Sequence, residues 1–487
     1  MLFYLFGAII ILTSLNIYTL NFRITLNSKV ILKHKVGFIS MGVIMQAFYW
    51  DCPKLENQEF QWWNFLETKV ESLVRVGFTA LWLPPANKAA NLDGYASMGY
   101  DPYDYYDLGE FDQKNHLKTW FGSKDELVNL ITKIHQCNME VYADLVLNHC
   151  SGGDEEVNPD DNVSRWTKFD PQSGKFRRNW ECFHPSPYEL YESPDKVQYG
   201  DLPDLCHKNP YVYEEILKYV KWLIEEIKFD GFRYDFVKGY GTSITSSIQT
   251  YDYEGKTNIF GVGEYFDGNE MKIDRWLNDV NSCLDNEIKA FDFPLRFRLQ
   301  ALCDDYDFDV SQLSKEGVLA IDSPNLAVTF VDNHDTYRKI PFTNEQDKIL
   351  AYAFILTHEG YPCIYWYDYY NLGLARENTP NGIEALVGVH ERYAGGNISI
   401  LYEDHNLYIM QRGGIDAQNG LIFVLNNSGD GWNGNDVETQ WNNTKFTPVA
   451  YASSFDNGEP LEQLTNENGI GNFSAPPRGY CIYVPNI

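Results

Sequence analysis

Four short segments of the sequence each join an apolar run to a cluster of polar or charged side chains. They are Asp144–His149 (DLVLNH), Gly231–Gly239 (GFRYDFVKG), Gly261–Tyr265 (GVGEY) and Phe330–Asp335 (FVDNHD). Carboxyl groups can act as general acids, general bases or nucleophiles when they face one another in a cleft. One isolated charge at a strand end is more often a cap or a salt bridge. Four such endings in one chain favour a reactive site.

Arg233 and Asp235 lie two positions apart in the second of these segments. Successive side chains of a strand point to opposite faces, so residues two apart share a face. An arginine beside a carboxyl favours the ionised form of that carboxyl. We therefore expect Arg233 to keep Asp235 negatively charged.

Eight strand-like apolar runs alternate with helical stretches and could position these endings. The runs are Val43–Tyr49, Ala80–Leu83, Val141–Val146, Gly231–Phe236, Gly261–Glu264, Ala290–Phe293, Ala327–Val331 and Cys363–Tyr365. Helical periodicity is clearest in Tyr211–Lys228, where apolar residues recur every three or four positions. The pattern predicts an α/β fold, a (β/α)₈ TIM barrel, whose strands deliver their carboxyl ends to one shared mouth.

Two regions depart from this alternation. About sixty residues rich in Asp, Pro, Gly and aromatic residues separate the third strand from the next helix, so we predict an inserted domain, domain B, over residues 149–209. After residue 395 the helical periodicity ends, and short β-rich pieces predict a C-terminal antiparallel β-sandwich over 396–487. The barrel would then comprise residues 41–148 and 210–395.

Composition limits the partners that the protein can have. The 487 residues include 39 basic and 68 acidic side chains, a formal net charge of −29. Such a charge repels phosphate backbones and argues against a nucleic-acid partner. The nine cysteines form no CxxC pair and are too sparse for a disulfide-stapled scaffold. No sequence feature indicates a protein partner, so we expect a monomer.

The N-terminal segment, residues 1–40, contains a stretch without charged side chains from Leu2 to Phe22. Its continuously apolar part is similar to the core of a secretory signal. We predict that the protein is secreted to the extracellular space. Two alternatives stay open: an uncleaved membrane anchor, or an upstream false start with Met41 as the functional one.

The four charged segments resemble, in order and separation, the conserved regions of the α-amylase family, glycoside hydrolase family 13. Further stretches are similar to the archaeal-type and plant α-amylases: Val43–Asp51 (VIMQAFYWD), Ser97–Asp104 (SMGYDPYD), Val237–Tyr240 (VKGY) and Val262–Tyr265 (VGEY). The resemblance covers residues 42–395 strongly and the C-terminal region weakly.

The resemblance implies a role for each carboxyl. Two carboxyls that flank a glycosidic bond can protonate the leaving oxygen and trap the oxocarbenium-like carbon. By resemblance Asp235 is the nucleophile, Glu264 the general acid and base, and Asp335 the transition-state stabiliser. The implied substrate-binding residues are Tyr100, which would stack on the sugar, His149 and His334, which would donate hydrogen bonds to it, Arg233, and Lys238 on the leaving-group side.

The family also implies metal sites. Calcium takes several oxygen ligands, and the matching positions here are Asn148, Asp195, Asp204 and the carbonyl of Gly239. Archaeal-type members hold zinc with two histidines and a cysteine. His184 and Cys206 match two of those ligands, while Glu192 takes the place of the remaining histidine, so a plain free thiol stays open as the alternative.

The activity implied is an endo-acting, calcium-dependent α-1,4-glucan hydrolase that acts on starch, glycogen and malto-oligosaccharides with retention. An α-glucosidase or a 4-α-glucanotransferase shares every catalytic residue and is the first alternative. A non-catalytic barrel of the same family is the second, and the intact Asp235, Glu264 and Asp335 argue against it. A carbohydrate-binding module is an alternative for the C-terminal sandwich alone.

Overall fold

Eight parallel strands close into a barrel in the computed structural model of the protein. The structure describes residues 42–53, 60–91, 94–189, 198–256, 258–415, 418–455 and 458–487, so the apolar N-terminal segment lies outside the described residues. The strands of the barrel and of its loops are β1 (Ile44–Gln46), β2 (Ala80–Trp82), β3 (Lys88–Ala89), β4 (Pro102–Asp104), β5 (Glu140–Leu145), β6 (Asp154–Asn158), β7 (Val163–Lys168), β8 (Gly231–Tyr234), β9 (Phe260–Gly263), β10 (Lys289–Phe291), β11 (Ala327–Phe330) and β12 (Tyr361–Tyr365).

The barrel confirms the predicted fold class. Its strand order is β1-β12-β11-β10-β9-β8-β5-β2, and each of the eight predicted runs supplies one strand. Strands in such a barrel are covered on both faces, which explains why they read as short, nearly continuous apolar runs. In β5 only the first residue, Glu140, is exposed, and the rest of the strand is buried.

Helices cover the outside of the barrel, and some of the longer ones begin at recognisable capping residues. Ser123 and Glu126 form a reciprocal capping box at the start of one helix, and Asn209 caps the helix that opens with Pro210. The α-helices are α1 (Trp62–Glu67), α2 (Val70–Val76), α3 (Gly94–Ser97), α4 (Lys124–Gln136), α5 (Pro210–Trp222), α6 (Thr242–Thr250), α7 (Glu270–Asn281), α8 (Phe293–Asp304), α9 (Leu319–Asp322), α10 (Thr336–Lys339), α11 (Lys348–Thr357) and α12 (Ile383–Tyr393).

The long segment between β5 and α5 carries a small antiparallel hairpin, β6 and β7. Its two ends meet, because His149 and Asp204 form a backbone bridge and the amide of Leu205 donates to the carbonyl of Asn148 at 2.8 Å. The segment thus leaves the barrel at the end of β5 and returns beside the same strand end, next to the mouth.

The C-terminal region is antiparallel. Its strands are β13 (Ile398–Glu403), β14 (Leu407–Arg412), β15 (Leu421–Asn426), β16 (Asn433–Glu438), β17 (Lys445–Ser453), β18 (Gln463–Leu464), β19 (Ile470–Ala475) and β20 (Gly479–Pro485). Six strands form one sheet in the order β13-β14-β15-β20-β17-β18, and β16 pairs with β19. A separate buried cluster that includes Ile409, Val424 and Phe473 joins the two sheets.

Arg478 fixes this region to the barrel. The side chain is fully buried and donates to the Asp347 carboxylate at 3.0 Å and to the carbonyls of Leu302 and Cys303 at 2.7 and 2.8 Å. A buried charge is tolerated when it is paired and hydrogen-bonded in this way. Across the described ranges, the structure contains no helix of the length and apolarity that a membrane span requires.

Candidate active site

The two neighbouring strands β8 and β9 deliver a carboxyl each to the mouth of the barrel. Asp235 directly follows β8, and its amide donates to the carbonyl of Leu145 at 3.0 Å. Glu264 directly follows β9, and its amide donates to the carbonyl of Tyr234 at 2.9 Å. These bonds extend the parallel ladder beyond the strands, so the two backbones are held in register where the side chains enter the cavity.

Arg233 connects the acidic side chains of the mouth. Its Nη1 lies 2.6 Å from Asp235 Oδ1 and 2.7 Å from Asp144 Oδ1, and its Nη2 lies 2.9 Å from Glu264 Oε2. The guanidinium is almost completely buried and fully ionised, and its fixed fork suits bridging of this kind. One cation therefore orders three carboxyls from three adjacent strands.

Burial dominates the titration of the two strand-end carboxyls. It raises the pKa of Glu264 to about 7, against the lowering effect of Arg233 and with further raising by the charges of Asp235 and Asp335. It also raises the pKa of Asp235 to about 7, again against Arg233. The two groups interact, so the pKa values near 7 belong to the pair, and burial outweighs the effect of Arg233, which was expected to keep Asp235 ionised.

Asp335 reaches the same cavity from another strand. It follows β11 by five residues and begins the short helix α10, where Lys339 Nζ lies 2.8 Å from its Oδ2. Burial acts to raise the pKa of Asp335, but His334, Lys339 and Arg233 outweigh it and bring the pKa below its usual value. Asp335 is thus the carboxyl of the mouth that stays ionised most readily.

The three carboxyls line one cavity of about 170 Å³ together with most of the predicted substrate-binding residues. Its lining is Trp50, Tyr100, His149, Tyr199, Asp235, Phe236, Lys238, Glu264, Phe266, His334, Asp335 and Lys339. Arg233 lies behind this wall as a buried support. The structure therefore brings all eight predicted catalytic and substrate-binding residues to one place.

Aromatic rings form one wall of the cavity in parallel planes. The rings of Tyr100 and His334 are 5.0 Å apart at an angle of 4°, and Trp50 lies nearly parallel to both. The Tyr100 hydroxyl donates to Asp144 Oδ2 at 2.8 Å, which fixes the ring. Flat, oriented rings beside carboxyls can stack on the apolar face of a sugar.

The two histidines differ in what they offer a ligand. Burial lowers the pKa of His334 to about 3 and that of His149 to about 4, so both rings are neutral at pH 7. Gln46 Nε2 donates to Nδ1 of His334 at 3.0 Å, which leaves Nε2–H of His334 as a donor. His149 instead donates through Nε2 to the carbonyl of Tyr100 at 2.9 Å. Its Nδ1 is then an acceptor, whereas the sequence suggested a donor.

Lys238 also lines the cavity, and its Nζ donates to the carbonyl of Phe266 at 2.6 Å.

Asp144, Tyr199 and Lys339 contact residues of the site, and the sequence predicted no role for them. Asp144 pairs with Arg233 across β5 and β8 in register, and that complementary charge could have been found by aligning the strand ends. Tyr199, which stacks on His149 at 4.6 Å, and Lys339 lie in irregular or very short elements that carry no such signal.

Oxygen donors suited to a hard cation meet behind the mouth. Asn148 is completely buried, and neither atom of its amide has a hydrogen-bond partner within the described residues. A Cβ built on Gly239 would come within 2.0 Å of Asn148 Oδ1, so only glycine allows this close approach. Asp204 is bridged to the same strand end. The fit with a calcium site is good, although Asp195 lies outside the described residues.

The set of residues predicted to bind zinc is less complete than the set predicted to bind calcium. The Phe183–Leu205 bridge brings the segments of His184 and Cys206 side by side. Within the described ranges, no group of three or more His, Cys, Asp or Glu residues could hold a metal ion. Glu192 lies outside those ranges, so the zinc site stays a prediction.

Enzymes that hydrolyse glycosidic bonds commonly work with two carboxyls held on either side of the bond, and the mouth of this barrel presents such carboxyls. A family model described as "Alpha amylase, catalytic domain" matches residues 63–381. The chain is therefore a glycoside hydrolase and belongs to the α-amylase family, as the sequence motifs predicted.

Proteins named as α-amylases are similar in sequence to this chain over most of its length. An α-amylase of Geobacillus stearothermophilus is 32% identical, over 91% of this chain and 87% of the relative. A protein named probable alpha-amylase 2 of Arabidopsis thaliana is 27% identical, over 75% of this chain and 84% of the relative. The solved structure of a Geobacillus thermoleovorans α-amylase complexed with acarbose superposes with a TM-score of 0.64 at 19% identity, covering 92% of this chain and 98% of that one.

Proposed function

We propose that this enzyme is an endo-acting α-amylase that hydrolyses α-1,4-glucosidic bonds of starch, glycogen and malto-oligosaccharides with retention of configuration. The observation that carries the proposal is the bridge of Arg233 between Asp235 Oδ1 and Glu264 Oε2 at 2.6 and 2.9 Å. It holds two carboxyls on one support at the rim of an open cavity, which supports their proposed roles as nucleophile and acid. The family's transferases and α-glucosidases share these residues, and no feature of the described site favours them.

In the first half of the proposed reaction, Asp235 attacks the anomeric carbon of the bound sugar while Glu264 gives its proton to the departing glycosidic oxygen. A covalent glycosyl-enzyme forms at Asp235 and the leaving chain departs as an alcohol. Glu264 has to hold a proton near neutral pH for this step, and its raised pKa of about 7 supports that role.

In the second half, Glu264, now ionised, takes a proton from water and the resulting hydroxide displaces Asp235 from the sugar. Each carboxyl returns to its starting state, and two displacements on one carbon give net retention. Asp335, which stays ionised, binds hydroxyls of the distorted ring and stabilises the positive charge of the transition state. His334 supports the ring through its free Nε2–H.

Calcium is part of the proposal. Asn148, Asp204 and the carbonyl of Gly239 would hold the ion, and Asp195 would complete the set by resemblance. The ion when bound would supply positive charge that fixes the returning segment of domain B to the end of β5. Held there, it would order the cavity wall that includes His149.

Extracellular location is also a proposal, supported by the apolar stretch within residues 1–40 alone. N-terminal sequencing of the protein recovered from the medium of its own cells would test it. A protein found only within cells, with its N-terminus at Met41, would overturn it.

Product analysis tests the proposed activity. Soluble starch incubated with the purified enzyme should lose viscosity early and yield oligosaccharides whose new reducing ends are in the α configuration by NMR. Release of glucose alone, or cyclic and elongated products without net hydrolysis, would contradict it. Asp235→Asn is the control, since it keeps the size of the side chain and removes the nucleophile.

A further inference from the structure

Lys339 forms an ion pair with Asp335 within the turn that follows β11. Its Nζ lies 2.8 Å from Asp335 Oδ2, and the Lys339 amide donates to the Asp335 carbonyl at 2.9 Å. Asp335 directly precedes α10 and Lys339 is its last residue, so the two are four apart and face each other across one helical turn. Within the described residues, no hydrogen bond engages the other oxygen, Oδ1, of Asp335.

The carboxyls of the cavity are supported unequally. Asp235 and Glu264 share the buried guanidinium of Arg233, whose side chain is 1% exposed. Asp335 has Lys339, whose side chain is 53% exposed while that of Asp335 is only 19% exposed. The carboxyl is therefore largely enclosed, but the cation that orients it lies at the rim of the cavity, beside Tyr199.

The neighbouring residue anchors the turn to the aromatic wall. The guanidinium of Arg338 lies 3.9 Å above the centre of the Trp50 ring, and Trp50 is nearly parallel to Tyr100. A cation over an indole face is an attractive contact. Arg338 therefore fixes the turn from the outside while Lys339 reaches Asp335 from the same short helix.

We propose that Lys339 is a positioning residue. Before the sugar binds, Lys339 holds Asp335 ionised and facing the cavity, as the binding of an α-glucosyl ring requires. This inference rests on the proposed function, because it takes Asp335 as the carboxyl that contacts the ring. With Oδ2 engaged by Lys339, Oδ1 is available to the sugar hydroxyls.

The charge of Lys339 acts on more than one carboxyl, so its removal has a definite sign. The groups that face Asp335 are His334 and Lys339 on its own segment, Arg233 and Asp235 from β8, Glu264 from β9, and Tyr199. Lys339 interacts with Glu264 as well as with Asp335. Without it the cluster gains net negative charge, and the pKa values of both carboxyls rise. The alkaline limb of the pH profile, which ionisation of Glu264 sets, should therefore move to higher pH.

The experiment compares the pH dependence of kcat/KM on a maltooligosaccharide for the wild type and three variants. Lys339→Gln removes the charge and Lys339→Arg keeps it. Lys315→Gln is the matched control, since Lys315 pairs with Glu403 at 2.9 Å with side-chain exposures of 50% and 28%, and neither residue lines the cavity. Thermal unfolding of each variant shows whether it is folded.

For Lys339→Gln we expect kcat/KM at pH 7 to fall about fivefold, the scale of a partly exposed ion pair. The alkaline limb should move up by roughly half a pH unit. Lys339→Arg should restore the wild-type profile and Lys315→Gln should leave it unchanged. A Lys339→Gln profile equal to that of the wild type, or a Lys339→Arg profile as displaced as that of Lys339→Gln, would overturn the inference.

Asp335→Asn, measured in parallel, separates this inference from the proposed function. If Asp335→Asn loses activity and Lys339→Gln keeps the wild-type profile, Asp335 has its proposed role and Lys339 does not position it. If Asp335→Asn is as active as the wild type, the proposed role of Asp335 is wrong, and the inference about Lys339 is overturned with it.

Discussion

Replacement of Glu264 by glutamine should inactivate the enzyme and stabilise its fold at alkaline pH. Glutamine keeps the size of the side chain and mimics the protonated carboxyl at every pH. Arg233 retains its bonds to Asp144 and Asp235, so no cation is left unpaired. A loss of the acid and base should lower kcat by about a thousandfold, within the usual range for this kind of catalysis.

The stability change follows from the pKa of Glu264. Burial raises that pKa from 4.5 to about 7, so the folded protein binds this proton more tightly than the unfolded chain does. The stability that the bound proton contributes is present below pH 4.5 and is lost as the pH rises through about 7. At 1.36 kcal/mol for each unit of pKa, the loss in the wild type is about 3 kcal/mol above pH 7.

Thermal unfolding at pH 5 and at pH 8.5, with calcium held constant, measures this difference. With an unfolding entropy of about 2 cal/mol/K per residue, 3 kcal/mol corresponds to about 3 °C for a protein of this length. We expect the Tm of Glu264→Gln to exceed that of the wild type by about 3 °C at pH 8.5 and to approach it at pH 5. Glu467→Gln, which changes an exposed glutamate of the C-terminal region, is the control. A Tm difference that does not depend on pH, or a less stable variant at pH 8.5, would refute the reasoning.

Three further outcomes are expected. Asp235→Asn should reduce starch hydrolysis below detection while circular dichroism and Tm stay close to the wild type; hydrolysis at the wild-type rate would contradict the assignment of the nucleophile. The profile of kcat/KM against pH should be bell-shaped around pH 7, because protonation of Asp235 removes the nucleophile and ionisation of Glu264 removes the acid. The pKa values of both groups are raised to about 7. A value of kcat/KM that stays constant from pH 5 to pH 9 would contradict this prediction. Chelation with EDTA should lower the Tm by several degrees, because an ion that binds only the folded state stabilises it. Added calcium should restore the Tm, whereas the Tm of Asn148→Ala should not respond to EDTA or calcium. An unchanged melting curve in EDTA would argue against the calcium site.

The sequence was most informative where strands end. A buried parallel strand has an apolar body, so charged residues at its carboxyl end mark the mouth of the barrel, and this pattern predicted that Asp235 and Glu264 share one mouth. The alternation of Arg233 and Asp235 on β8 likewise predicted the ion pair that the structure contains at 2.6 Å. These features depend on strand periodicity, which a sequence displays directly.

The missed features depend on contacts between distant segments. Lys339 belongs to a four-residue helix, which is too short to show helical periodicity in the sequence. Its ion pair with Asp335 becomes visible only in the structure. Tyr199 belongs to no periodic sequence pattern, and its stacking on His149 joins residues that are distant in the sequence. His149 was expected to donate a hydrogen bond to the sugar, but its Nε2 donates to the carbonyl of Tyr100. A backbone partner of this kind cannot be predicted from the pattern of side chains.

The most direct test of the central claim is to identify the residue that becomes glycosylated. The Glu264→Gln variant, incubated with an activated 5-fluoro-α-glucosyl fluoride, should accumulate the glycosyl-enzyme because water is no longer activated. Digestion and mass spectrometry should then find one added fluoroglucosyl group on the peptide that contains Asp235. A label on another residue, or steady fluoride release by the unmodified variant with no adduct at Asp235, would contradict the account.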